Sequence, residues 1–213
     1  MISHQKSSKT LAIGLASLAG FVDALGFLNL GGVFVSFMSG NSTRFAVGVT
    51  SELPLKITLI PLGIIALFVA GVMAGRAIRH YFPKRPSTAV MVFISAALTV
   101  SSIIHGSRLT LLDLPLMAIA MGAANNVFFR EGEVSVGVTY MTGTLVKLGQ
   151  RLAGKLLGEK EQEWLPYFLL WMGLVAGATL GSFTYTHWGL HALWIGVALC
   201  LALTQFCAWI ENK

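Results

Sequence analysis

Asp23 has the most capacity for chemistry, because nothing near it in the sequence can neutralise it. The stretch LASLAGFVDALGFLNL is apolar on both sides, and the nearest charged residues along the chain are Lys9 and Arg44. An ionised carboxylate in such a run costs a few kcal/mol inside a membrane unless it is paired, hydrated or protonated. Two roles fit. Asp23 is a proton- or cation-coupling group or a substrate contact, or it is a structural carboxylate paired with a lysine or arginine from another helix.

The second chemical feature is a repeat. FVSFMSGNSTR (34–44) returns in blurred form as GVTYMTGTLVK (137–147), 103 residues later. Val35/Val138, Met38/Met141 and Gly40/Gly143 are identical, while Ser36/Thr139, Phe37/Tyr140, Ser39/Thr142 and Arg44/Lys147 keep their chemistry. At the same offset Asp23 falls on Asn126, whose neighbour is Asn125, so the second copy keeps polarity and loses charge. Glycine lets a helix break or backbone approach closely. The hydroxyls of Ser36, Ser39, Thr139, Thr142 and Thr144 and the Asn41 amide can satisfy backbone groups freed by such a break, or bind a ligand. These residues, with Asp23, Gly40, Asn125, Asn126 and Gly143, form the candidate substrate or ion pathway. The alternative is a capped interfacial loop in which Ser39 or Asn41 starts a short helix. Arg44 and Lys147 close the two copies as snorkelling anchors or as charge partners of a ligand.

Elements that position these residues follow from hydropathy. The 213 residues are 55% apolar and 11% charged, against about 25% charged in a soluble domain. Mean hydropathy is +0.74. The chain reads as an all-α integral membrane protein. Six apolar runs have spanning length: 10–30, 55–78, 88–104, 109–129, 164–185 and 190–210. The first continues past Asp23 without a convincing cleavage site, so it is expected as a retained helix and not a signal peptide.

Each half has the order helix, polar segment, helix with paired small residues, helix. The small pairs are Gly71 and Gly75 in one half, Gly177 and Gly181 in the other, and they are expected to pack inside the bundle. Within a single membrane domain of residues 1–213, this predicts a first repeat over 10–105 and a second over 109–210. With a cytoplasmic N-terminus, 12 of the 15 Lys and Arg fall inside, leaving Arg44, Lys56 and Arg108 outside. Three spans per half is odd, so the two copies become inverted repeats with one polar segment near each face. Both termini are then cytoplasmic, and each polar segment is a broken or re-entrant element.

Other classes find little support. The net charge of +6 comes from basic residues flanking apolar runs, which argues against nucleic acid. Cys200 and Cys207 lie i and i+7 on one helix, about 10 Å apart along its axis, too far for a disulfide. His105, His187 and His191 sit near run ends, where interfacial placement accounts for them. Arg130 with Glu131 and Glu133 reads as a wet turn, and KLLGEKEQE after Gly154 as a solvated connection. No metal, cofactor or catalytic motif is expected, and the chain is not read as an enzyme.

The pattern AGFVDALGFLNLGGVFVSFMSGNS with MGAANNVFFR and VTYMTGTLVKLG resembles the YoaK family, bacterial inner-membrane proteins built around a domain of unknown function. The resemblance covers most of the chain and implies a six-helix plasma-membrane protein with no assigned catalytic residue. Where that family keeps an MTGN-like core in both copies, this chain has MSGN and then MTGT. The expected function is a secondary transporter or channel for a small molecule or ion, proton-coupled through Asp23. One repeat would rock against the other, alone or in a homodimer. The competing expectation is a non-transporting membrane component: an assembly partner, a lipid-interacting protein or a sensor.

Overall fold

The computed structural model describes residues 2–51, 53–105, 113–130, 133–134, 137–159 and 163–213. Among these residues eight α-helices run in chain order: α1 (Ile2–Asn29), α2 (Met38–Thr50), α3 (Leu55–Tyr81), α4 (Pro86–His105), α5 (Asp113–Ala124), α6 (Met141–Leu156), α7 (Leu165–Trp188) and α8 (Leu193–Glu211). Strands β1 (Phe129–Arg130) and β2 (Glu133–Val134) pair antiparallel over two residues each. Arg108, Glu131 and Lys160 lie outside the described residues, as does the start of the run expected over 109–129.

Among the described residues four stretches are long and apolar enough to cross a membrane: Ser7–Asn29, Leu55–Tyr81, Pro86–His105 and Leu165–Glu211. The last holds α7 and α8, joined by the 3₁₀ turn Gly189–Ala192. The described part of α5 ends at Ala124, five residues before the end of the run expected over 109–129. Its C-terminal limit is local chemistry: Asn125 Nδ2 donates to the Met121 carbonyl at 3.2 Å, and Asn126 Nδ2 turns away to the Val72 carbonyl of α3 at 3.0 Å. Side-chain amides that bond backbone in this way compete with helix continuation. Helix α1 ends differently. Gly31 and Gly32 take φ of 62° and 97°, and the Gly32 N–H returns to the Phe27 carbonyl at 2.7 Å, a left-handed glycine stop.

The closest helix crossings are made by glycine. A Cβ on Gly177 would strike the Ser17 carbonyl, and neighbours along the same line pair Gly173 with Ile13 and Gly181 with Phe21. Rising numbers meet rising numbers, so α1 and α7 run parallel. In the same way Gly71 meets Ile119, Gly75 meets Ala123, and α3 runs parallel to α5. Both glycine pairs are thus spent inside the molecule, where the missing side chain lets backbones touch. Helices α4 and α8 run antiparallel, with Thr88 beside Glu211 and Ser95 beside Cys200. Helices α1 and α8 are antiparallel too, with Gly14 against Leu203 and Gly196 against Phe21. The core lies where α1, α4, α5 and α8 converge, around Phe21, Val22, Leu98, Met117, Met121 and Leu193. The tight pairs therefore join opposite halves of the sequence.

Candidate functional site

The two polar segments are not breaks inside a helix. Residues 38–41 form the first turn of α2, and residues 141–144 the first turn of α6. The residues before them, Phe37 and Tyr140, have nearly the same backbone, φ −93° ψ 78° and φ −95° ψ 64°. Neither supplies a side-chain cap. In both copies the aromatic ring of this residue folds back over the glycine three places on: a Cβ on Gly40 would meet Phe37 at 2.6 Å, and one on Gly143 would strike Tyr140. Val35 and Val138 are fully buried in both. The identities in the repeat are thus packing residues that fix a shared shape.

The polar wiring differs. Asp23 Oδ1 accepts from the N–H groups of Val35 and Ser36, both at 2.8 Å. Asn41, with no exposed surface, clasps Phe34 at two points. Its Oδ1 accepts from the Phe34 N–H at 2.9 Å, and its Nδ2 donates to the Phe34 carbonyl at 2.6 Å. Phe34 is further held between Phe27 and Phe37, ring centroids at 4.8 and 5.2 Å. Asp23, Ser36 and Asn41 therefore meet around one turn, 34–36. Among the described residues, the partners of Asp23 are the backbone of residues 35–37 and the Ser36 hydroxyl, and not the basic side chain expected for a structural carboxylate. Arg44 donates from Nη2 to the Gly31 carbonyl at 3.1 Å, a cation at the C-terminal end of α1, where the helix dipole favours it.

In the second copy Asn126 leaves the turn for α3, and its own carbonyl accepts from Arg79 Nη1 at 3.0 Å. Thr139 Oγ1 donates to Asn125 Oδ1 at 3.0 Å. Thr144, the mate of Asn41, bonds only its own helix, to the Tyr140 carbonyl at 3.3 Å. Lys147, like Ser39 and Thr142, is exposed. Among the described residues no hydrogen bond joins the two sets, so the candidate pathway residues form two separate groups. The ≈ 430 Å³ cavity lined by Lys9, Ile13, Glu163, Trp164 and residues of α7 contains none of them. At its mouth Lys9 Nζ meets Glu163 at 2.8 Å. The hydrogen bond and charge of Lys9 hold the Glu163 carboxyl below its usual range.

Two polar centres escaped the sequence. Glu211 caps α4: its carboxylate accepts the N–H groups of Ser87 and Thr88 at 2.9 Å each and the Thr88 hydroxyl at 2.6 Å. Asp113, 2% exposed, lies with Oδ2 2.9 Å from His105 Nδ1, and the His191 ring stands 5.1 Å from that of His105. His105 therefore has a specific partner beyond an interfacial position. The only signal for either carboxylate was its place at a helix end, which says nothing about the distant partner.

Bundled apolar helices with internal glycine crossings define a multi-pass helical membrane protein. The chain belongs to the family described as protein of unknown function (DUF1275), whose model matches residues 11–206. It is 34% identical over 218 residues to the UPF0700 transmembrane protein RA0705 of Rhizobium meliloti, covering 100% of this chain and 92% of that protein. It is 26% identical over 163 residues to the UPF0700 transmembrane protein YoaK of Bacillus subtilis, covering 72% and 71%. The likeness to YoaK bears out the resemblance seen in the sequence. No solved structure matches the chain.

Proposed function

We propose that this protein is a secondary transporter or channel for a small molecule or ion in the plasma membrane, with no enzymatic step, built from two inverted three-helix repeats. The helix directions support the inversion. Taking α1 as up, parallel α7 is up and antiparallel α8 is down. Helix α4, antiparallel to α8, is up. Helix α3, joined to α4 by a short turn, is down, as is its parallel partner α5. Each first-half helix then opposes its second-half counterpart, as six crossings with cytoplasmic termini require. A multi-pass protein in the bacterial inner membrane, as a monomer or homodimer, follows from this reading.

One observation carries the transport reading. A lone carboxylate, Asp23, holds the turn before α2 through two backbone amides, where the second half has neutral Asn126. Protonation would remove the charge that grips those amides and release one turn only. Because close packing joins α1 to α7 and α3 to α5, the bodies that move are those two pairs, not the two repeats. Proton-coupled uptake then requires Asp23. In proteoliposomes D23N abolishes uphill uptake and leaves exchange largely intact. Equal loss of both activities, with protein still folded, sinks the proposal.

The second reading, a non-transporting component, draws on Asn41, which is fully buried and locked to Phe34. Cysteines at Ser39 and Thr142, on a background lacking Cys200 and Cys207, separate the two readings. Labelling from opposite sides by an impermeant thiol reagent supports inverted transport. Labelling of both from one side removes the inversion.

A further inference from the structure

Helix α6 carries a feature that its counterpart α2 lacks. Lys147, Arg151 and Lys155 stand at i, i+4 and i+8, about 40° apart in succession around the helix, and all three are exposed. Leu145, Leu152 and Leu156 form a second exposed stripe, Leu156 at 88%, roughly 120° away around the axis. Helix α2 has one basic residue, Arg44. A helix that exposes leucines on one side and cations on another is suited to lie in the headgroup layer of a bilayer.

The neighbouring groove extends this surface. Lys155 Nζ stands 5.6 Å from the centre of the Trp164 ring, and Trp164 lines the cavity together with Ile13, Leu165, Leu169 and Leu170. Cations thus adjoin a largely apolar slot of ≈ 430 Å³, whose one carboxylate, Glu163, is paired with Lys9 at 2.8 Å.

We propose that α6 and this groove form a binding surface for anionic phospholipid, with Lys147, Arg151 and Lys155 taking the phosphate headgroup and the groove an acyl chain. The inference uses the membrane reading but neither transport nor inversion, so cysteine labelling and solute uptake test those separately.

Trp164 supplies the probe. In full-length protein with Trp171, Trp188, Trp194 and Trp209 changed to Phe, Trp164 fluorescence is measured in bilayers containing brominated phosphatidylglycerol or brominated phosphatidylcholine. The expected result is stronger quenching by the anionic lipid at equal mole fraction, weakening as salt rises. Each Lys→Gln or Arg→Gln change at 147, 151 or 155 should lower the relative association constant about fivefold, as one basic residue near an anionic surface is worth. The variant K84Q/R85Q, altered outside this surface, should keep the preference. Equal quenching by both lipids overturns the proposal. So does a preference that survives K147Q/R151Q/K155Q, or one that K84Q/R85Q removes to the same degree. If the triple variant fails to fold, the single variants decide.

Discussion

The turns leading into α2 and α6 share nearly the same backbone angles at Phe37 and Tyr140, the same buried valine and the same ring-over-glycine contact, yet they are tied down by different chemistry. The first is held by a carboxylate on two amides and by the two-point clasp of Asn41. The second relies on neutral contacts, Thr139 to Asn125 and Asn126 to α3. Residues the two copies share build shape, and residues in which they differ decide what ties each turn down.

Breaking what both halves share should have the largest effect. Overpacking a close crossing with G177V or G71V should each cost about 3 kcal/mol, seen as loss of monodisperse protein and a lower melting temperature in detergent. A large gap between these two variants would mean the α1–α7 and α3–α5 pairs are not equivalent. Next comes the difference between the mates. D23A strips an ionised acceptor from two N–H groups and should cost about 2–3 kcal/mol, against about 1 kcal/mol for N126A, which loses one neutral bond. Equal melting temperatures for the two would erase the asymmetry. The smallest effect sharpens the clasp: N41T should cost about 1 kcal/mol, and T144N, by offering the Gly137 backbone the same clasp, should gain up to about 1 kcal/mol. Destabilisation by T144N would show that the matched backbones do not extend back to Gly137.

Much of this was legible in residue order. Apolar run lengths placed α3, α4, α7 and α8 and the C-terminal end of α1 within a few residues, because spanning length and hydropathy are local properties; α1 itself begins eight residues earlier, at Ile2. The glycine pairs announced close crossings, although the sequence could not say that Gly177 would meet Ser17 rather than a helix of its own half. Asp23 stood out as an isolated charge. Its partners did not, since backbone amides at 35 and 36 carry no sequence signature. The end of α5 at Ala124 was hidden for a similar reason: Asn125 and Asn126 count as two polar residues in a hydropathy window, and their bonds to Met121 and Val72 depend on where α3 lies. Asp113 and Glu211 drew no reading from the sequence, because it is helix packing that brings His105 and the α4 amides to them.

The crossing of α1 with α7 and of α3 with α5 also bears on how the protein is made. When the ribosome has delivered only the first half, the faces of α1 and α3 that will meet glycine backbone have no partner, and they stay covered by lipid until the later helices emerge. Assembly is therefore completed late in translation. The two halves should be able to find each other when synthesised as separate polypeptides, while neither matures alone.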